Sequence, residues 1–160
     1  MSVYGEELKT LYREQYLNAC KEIVAGGRDF ENYEYMLEKL DELFLKSSIF
    51  KSQKIKIISG MAKGTDILAV RYADERKLTK IMFPANWKEH PRMAGILRNE
   101  DMLTIATHLV AFWNGFSSGT KHMIEIARKK GIPIWTFYIE FTQKAGGFLR
   151  KFLSVNSFET

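Results

Sequence analysis

Ile55-Lys56-Ile57-Ile58-Ser59-Gly60-Met61-Ala62-Lys63-Gly64-Thr65-Asp66-Ile67-Leu68 decides the fold, because it passes from a short apolar run through a glycine loop into the start of a helical pattern. The run is β-branched and lacks strict polar alternation, as a strand covered on both faces should. Beyond the loop, Ile67, Leu68, Arg71, Tyr72 and Glu75 set an apolar helix face against a wet one. The same unit recurs outward in both directions. Apolar runs stand at Glu22–Ala25, Lys80–Phe83, Leu109–Trp113 and Ile132–Tyr138. Between them, Tyr33, Met36, Leu37, Leu40, Leu43 and Phe44 recur at three and four. Met102, Ile105 and Ala106 follow a turn holding Arg98, and Met123, Ile124 and Ala127 precede Gly131-Ile132-Pro133. Strands alternating with helices predict right-handed crossovers and a mostly parallel central sheet in an α/β domain.

The 160 residues, 46% hydrophobic and 27% charged, make about one domain, large enough for a core without disulfides. An aromatic fraction of 13% excludes a disordered chain. No run approaches the roughly 20 apolar residues that span a bilayer. Met1 to Lys9 carries Glu6 and Glu7 and has no basic-then-apolar order, so no secretory leader is expected. A single cysteine, Cys20, rules out an intrachain disulfide and suits a reducing cytoplasm. Residues 1–19, with Tyr4, Leu8, Leu11, Tyr12 and Tyr16, read as an added amphipathic helix. The domain proper then spans 20–140. The tail, 141–160, turns on Gly146-Gly147 and carries Phe148, Leu149, Phe152 and Leu153. Either end is expected to pack on the domain or to mediate self-association.

Twenty-four basic against 19 acidic residues give +5, which favours anionic partners. The charge is dispersed, and its densest cluster, Arg128-Lys129-Lys130, reads as the C-terminal end of a helix before Gly131. In a parallel sheet, ligands bind outside the carboxyl ends of the strands. The segments expected there are Gly26-Gly27-Arg28-Asp29, Ser59 to Asp66, Pro84-Ala85-Asn86-Trp87, and Asn114-Gly115-Phe116-Ser117-Ser118-Gly119-Thr120. Glycine allows close backbone approach, and a helix N-terminus offers unpaired N–H groups and partial positive charge. Thr65 and Thr120 are candidate N-caps, with hydroxyls for the helix or for a phosphate. Lys63 and Arg28 add full charges. Asp66 either takes ribose hydroxyls or caps its helix. Two such cradles suit a ligand with more than one phosphate, or a phosphate and a ribose. Tight ligand-free turns account for the glycines, but not for Lys63, Arg28 and Ser117-Ser118.

Four separated motifs carry a family resemblance. They are Gly26-Gly27-Arg28-Asp29-Phe30; Ile58 to Asp66 with Ala69 and Tyr72-Ala73; Phe83-Pro84-Ala85-Asn86-Trp87 with Ala94-Gly95, Arg98-Asn99 and Met102; and Phe112-Trp113-Asn114-Gly115 with Ser117 and Gly119-Thr120. Together, over about residues 20–138, they resemble the YspA-type branch of the SLOG superfamily. That superfamily takes its name from the Smf/DprA and LONELY GUY proteins. The resemblance implies a Rossmann-like, three-layer fold and a nucleotide or NAD-derived ligand of the ADP-ribose type. It also implies a homo-oligomer, and a place in anti-phage defence or counter-defence.

The phosphoribohydrolase relatives set a sharper expectation. They carry an arginine and then a Gly-Gly-x-Gly-Thr-x-x-Glu loop. Arg98 and Ser117-Ser118-Gly119-Thr120 stand at the matching positions, but Met123 replaces the glutamate. Glu125, two residues on, lies about 200° round the helix. Cleaving an N-glycosidic bond calls for a carboxylate; Asp66 and Asp101 are the candidate substitutes, though nothing in the spacing demands either. His90, His108, His122 and Cys20 show no metal-ligand spacing, so neither metal nor cofactor is expected. His122 and Glu125 read as a solvated i, i+3 pair and His108 as structural. Trp87 and Trp113 flank the rim, either stacking on a base or packing in the core.

The expected ligand-binding set is thus Gly27, Arg28, Gly60, Lys63, Gly64, Thr65, Asp66, Trp87, Arg98, Asn99, Gly115, Ser117, Ser118, Gly119 and Thr120. Sensing or sequestering a nucleotide signal leads, nucleoside-monophosphate phosphoribohydrolysis follows, and single-stranded DNA binding is third. A small-molecule partner is expected rather than nucleic acid or membrane.

Overall fold

A computed structural model describes residues 19–47, 50, 54–139, 142–144, 147–149 and 156–159. In chain order these form β1 (Ala19–Gly26), α1 (Tyr33–Asp41) running into a π-turn (Glu42–Lys46), β2 (Lys54–Ser59), α2 (Thr65–Glu75), β3 (Thr79–Met82), α3 (Ala94–Ile105), β4 (His108–Trp113), α4 (Ser118–Lys130) and β5 (Ile134–Tyr138). Three short strands follow, β6 (Thr142–Lys144), β7 (Gly147–Leu149) and β8 (Asn156–Glu159). The main sheet has the order β3-β2-β1-β4-β5-β8. Its first five strands are parallel, and β8 adds antiparallel to β5. β6 and β7 pair apart from it. The fold is therefore the expected Rossmann-like α/β architecture with a mostly parallel sheet. The helix predicted within 1–19 lies outside the described residues.

Each buried strand feeds two cores by its period of two. Val24, Val110, Phe112 and Phe137 join Met36, Leu40, Ala69 and Tyr72 on the face covered by α1 and α2. Ile23, Ala25, Leu109, Ala111 and Ile134 join Met102, Leu103, Met123, Ile124 and Ala127 beneath α3 and α4. Two covered faces explain why the strand sequences lack polar alternation. Arg98, expected in a turn, sits inside α3 instead, because the helix starts at Ala94 and keeps its Met102 and Leu103 face against the sheet. α4 ends as its sequence predicts. Gly131 closes it in the left-handed region at φ 79°, and Arg128, Lys129 and Lys130 occupy its last turn. Lys130 Nζ also donates to the carbonyls of Leu103 and Ala106 where α3 ends, so part of the basic cluster is structural.

One junction aligns the first two strand-end loops. Gly27 O accepts from Thr65 N at 3.2 Å and from Thr65 Oγ1 at 3.1 Å. Gly64 precedes it at φ 84°, and a Cβ there would stand 2.5 Å from Gly27 O. Only glycine meets both conditions. Thr65→Val keeps the shape but removes the buried hydroxyl donor. Stability measured by urea unfolding should fall by about 1 kcal/mol; an unchanged midpoint would show that this bond contributes nothing.

Candidate ligand site

β1 and β4 are neighbours in the sheet, and the chain leaves them toward opposite faces, to α1 and to α4. Such a switch point opens a crevice at the strand ends. A cleft of about 830 Å³ lies there, within the range of small-molecule sites. Of the expected residues, Gly27, Arg28, Asp66, Trp87, Arg98 and Asn99 line it, as do Ser117, Ser118, Gly119 and Thr120 from the loop entering α4.

Gly60, Lys63, Gly64, Thr65 and Gly115 are not among its walls. The reason lies in the β2–α2 loop, which spends its polar groups on itself. Ser59 Oγ accepts from Met61 N at 3.1 Å and donates to Asp66 O at 3.0 Å. Asp66 Oδ2 accepts from Ala62 N at 3.1 Å, and Thr65 is buried on Gly27. Lys63 is exposed on the turn. Two equivalent cradles were expected, but this loop acts as a brace beneath the other. The N-cap of α2 is Gly64 rather than Thr65.

The β4–α4 loop stays open to the cleft. Asn114 Oδ1 accepts from Phe116 N and Ser117 N, each at 2.9 Å, and Ser117 caps α4 by accepting from Thr120 N. The cap is thus Ser117 rather than Thr120, whose hydroxyl meets Ser117 Oγ at 2.9 Å. The amides of Ser118 and Gly119 fall in the first turn, where a helix leaves N–H groups without intrahelical partners. They point the helix's partial positive charge at the cleft.

Opposite them, Arg98 and Asp66 both crowd Gly60. A Cβ on Gly60 would stand 2.7 Å from Arg98 Nε and 2.8 Å from Asp66 Oδ2, so a side chain here would displace both. Arg98 Nη1 donates to Gly60 O at 3.1 Å, while its buried Nε has no partner among the described residues. Burial pushes the Asp66 carboxyl above the usual range; the Ala62 amide and the Arg98 and Arg28 guanidiniums pull it back. Burial also pushes Arg98 below its ordinary value, with Asp66 opposing. The buried Asn99 donates to Gly119 O at 3.3 Å and lies 3.2 Å from His122 Nδ1. It ties α3 to the α4 loop.

Aromatic faces complete the lip. Trp87 is 47% exposed, with Arg28 stacked 5.7 Å from its ring centre, and Phe116 is 89% exposed. Trp113, the other indole considered, donates its N–H to Ser117 O at 3.2 Å and packs on Tyr138. Phe116, Arg92 and His122 also line the cleft, although sequence reasoning did not select them. Spacing along α4 does not mark His122; Asn99 reaches it from α3. Glu125 pairs instead with Lys121 at 3.8 Å, away from the cleft walls, and buried Met123 lines them.

A second cluster lies at the other end of β1. Cys20, Glu22 and His108 place one ligand atom each within 4.8 Å of one another. Burial and the Glu22 charge push the Cys20 thiol up to about 11, and burial raises Glu22 against the pull of His108. Sequence spacing hid this group, since β4 supplies His108 across the sheet.

A family model described as the YspA, cpYpsA-related SLOG family matches residues 21–90. The Gene 61 protein of Mycobacterium phage D29 is 34% identical over an alignment of 87 residues, with 51% of this chain and 70% of that protein covered. Among solved structures, DNA processing protein A from Streptococcus pneumoniae superposes with a TM-score of 0.56 at 18% identity, over 76% of this chain and 51% of that one. The chain thus spans about half the length of the pneumococcal protein. Helicobacter pylori DNA processing protein A, described for its single-stranded DNA binding mode, gives 0.51 at 14% identity over 84% and 71%. At these identities the two structures share the fold.

The Asp66–Arg98 arrangement carries a pH prediction. Removing the guanidinium in Arg98→Met takes away a charge that favours the carboxylate, so the Asp66 titration should move to higher pH. Carboxyl carbon NMR reads it; a midpoint that stays or falls would show that Arg98 does not act on Asp66.

Proposed function

This chain belongs to the YspA, cpYpsA-related SLOG family, and from that premise we propose that it binds a nucleotide or NAD-derived ligand of the ADP-ribose type in the switch-point cleft, holding it intact. The observation that carries this reading is the convergence on one cleft of the α4 N-terminus, Arg28, Arg98 and the exposed rings of Trp87 and Phe116. Helix amides and guanidiniums suit phosphate oxygens. The rings suit a base, and Asp66, in the wall, suits ribose hydroxyls.

Holding rather than cleaving is supported by Met123, at the position where the phosphoribohydrolases carry glutamate, and by Glu125 turned to Lys121. Kinship with a phage gene product fits a sequestering role, in which a nucleotide signal is removed from circulation. A second reading rests on the lip itself. Exposed Trp87 and Phe116 beside Arg28 and Arg92 also suit stacked bases of single-stranded DNA, which the Helicobacter protein's description names as its ligand.

The test is incubation with NAD, ADP-ribose, cyclic ADP-ribose isomers, cyclic dinucleotides and AMP, then filtration, denaturation and chromatography of both fractions. One nucleotide class should be retained and released unchanged, and Arg98→Ala should weaken retention roughly tenfold or more, as loss of a charge-assisted contact does. Free base with a ribose phosphate would make the protein a hydrolase and overturn the holding role. Retention of none of these, with oligonucleotide binding that grows with strand length and falls steeply with salt, would establish the second reading.

A further inference from the structure

We propose that Cys20, Glu22 and His108 form a binding site for one divalent transition-metal ion, with Zn²⁺ the best fit to the donor set. β1 and β4 pair in parallel with Glu22 directly opposite His108, and Cys20 lies two residues before Glu22 on the same strand face. A thiol sulfur, an imidazole nitrogen and a carboxylate oxygen therefore converge from two hydrogen-bonded strands. They also belong to the set that Zn²⁺ takes. Ligand atoms of a tetrahedral zinc site lie about 3.3–3.7 Å apart, given metal–ligand distances of about 2.0–2.3 Å. The group needs small adjustments only, since all three donors fall within 4.8 Å and Glu22 Oε1 is 3.0 Å from His108 Nδ1.

The independent observation is Glu22 itself. It is 0% exposed, and its Oε2 has no hydrogen-bond partner among the described residues. A buried carboxylate oxygen left unpaired is costly, and a cation satisfies it directly. Thr107 Oγ1, held by the main-chain N–H and C=O of Lys21, lies 2.8 Å from His108 Nδ1, and an ion taken by that nitrogen would displace this contact. Phe50 and Trp135 pack on the imidazole, with ring centres 5.2 and 5.8 Å away. Cys20 is a free, half-buried thiol. This site is separate from the cleft, because the five residues from Glu22 to Gly27 span about 17 Å of strand. A metal here would bridge β1 to β4, the two strands that flank the crevice.

The experiment uses the full chain, stripped with a chelator and titrated with Co²⁺. One equivalent should bind, giving a thiolate-to-cobalt charge-transfer band in the near ultraviolet and intense tetrahedral visible bands, both abolished by one equivalent of Zn²⁺. Zn²⁺ should also slow alkylation of Cys20 by iodoacetamide at least fivefold. Cys20→Ser should lose the charge-transfer band, and His108→Gln should weaken binding at least tenfold. The unmutated chain decides the matter if a variant fails to fold. No charge-transfer band in it, or unchanged alkylation with Zn²⁺, would overturn the proposal, as would equal cobalt binding by folded Cys20→Ser and His108→Gln proteins.

Discussion

The cleft depends on one carbonyl. Gly27 O accepts both the amide and the hydroxyl of Thr65, and so ties the end of β1 to the start of α2. Just beyond that junction, Arg28 lines the crevice. Gly64 is the residue that makes the approach possible, through a backbone angle and a clearance that no side chain tolerates. The β2–α2 loop braces the end of β1. Its polar groups close on one another and leave the open amides to the β4–α4 loop.

The second consequence is electrostatic. Holding α2 against β1 buries Asp66 next to the guanidinium of Arg98, with Arg28 near enough to act on both. Each charge offsets part of what burial costs the other. Together they leave Arg98 Nε without a partner among the described residues at a cleft wall, beside α4's positive end. That balance underlies the proposed nucleotide-type ligand.

Much of this was legible in the chain. Buried parallel strands announce themselves by apolar runs without alternation, and five such runs gave the five parallel strands of the sheet. The loops after β1 and β4 were found because the rule for strand ends depends on topology alone. What the sequence concealed follows from tertiary geometry. Glycine, threonine and lysine at 63–65 look like a phosphate cradle until the Gly27 contact takes the threonine away. His122 read as a solvated pair with Glu125 because helical spacing cannot show that Asn99 reaches it from α3. Cys20, Glu22 and His108 were separated by 86 residues between their strands, and only the register of β1 on β4 brings them together. Phe116 is exposed, so neither periodicity nor burial marks it.

The central claim is that a nucleotide-type anion sits where β1 and β4 diverge. Amide chemical-shift mapping of the full chain, titrated with ADP-ribose, tests it residue by residue. The account predicts saturable shifts centred on Gly27, Arg28, Ser118, Gly119 and Thr120, with smaller ones at Ala62, reporting through Asp66. Shifts centred elsewhere on the sheet, or none at saturating ligand, would contradict it.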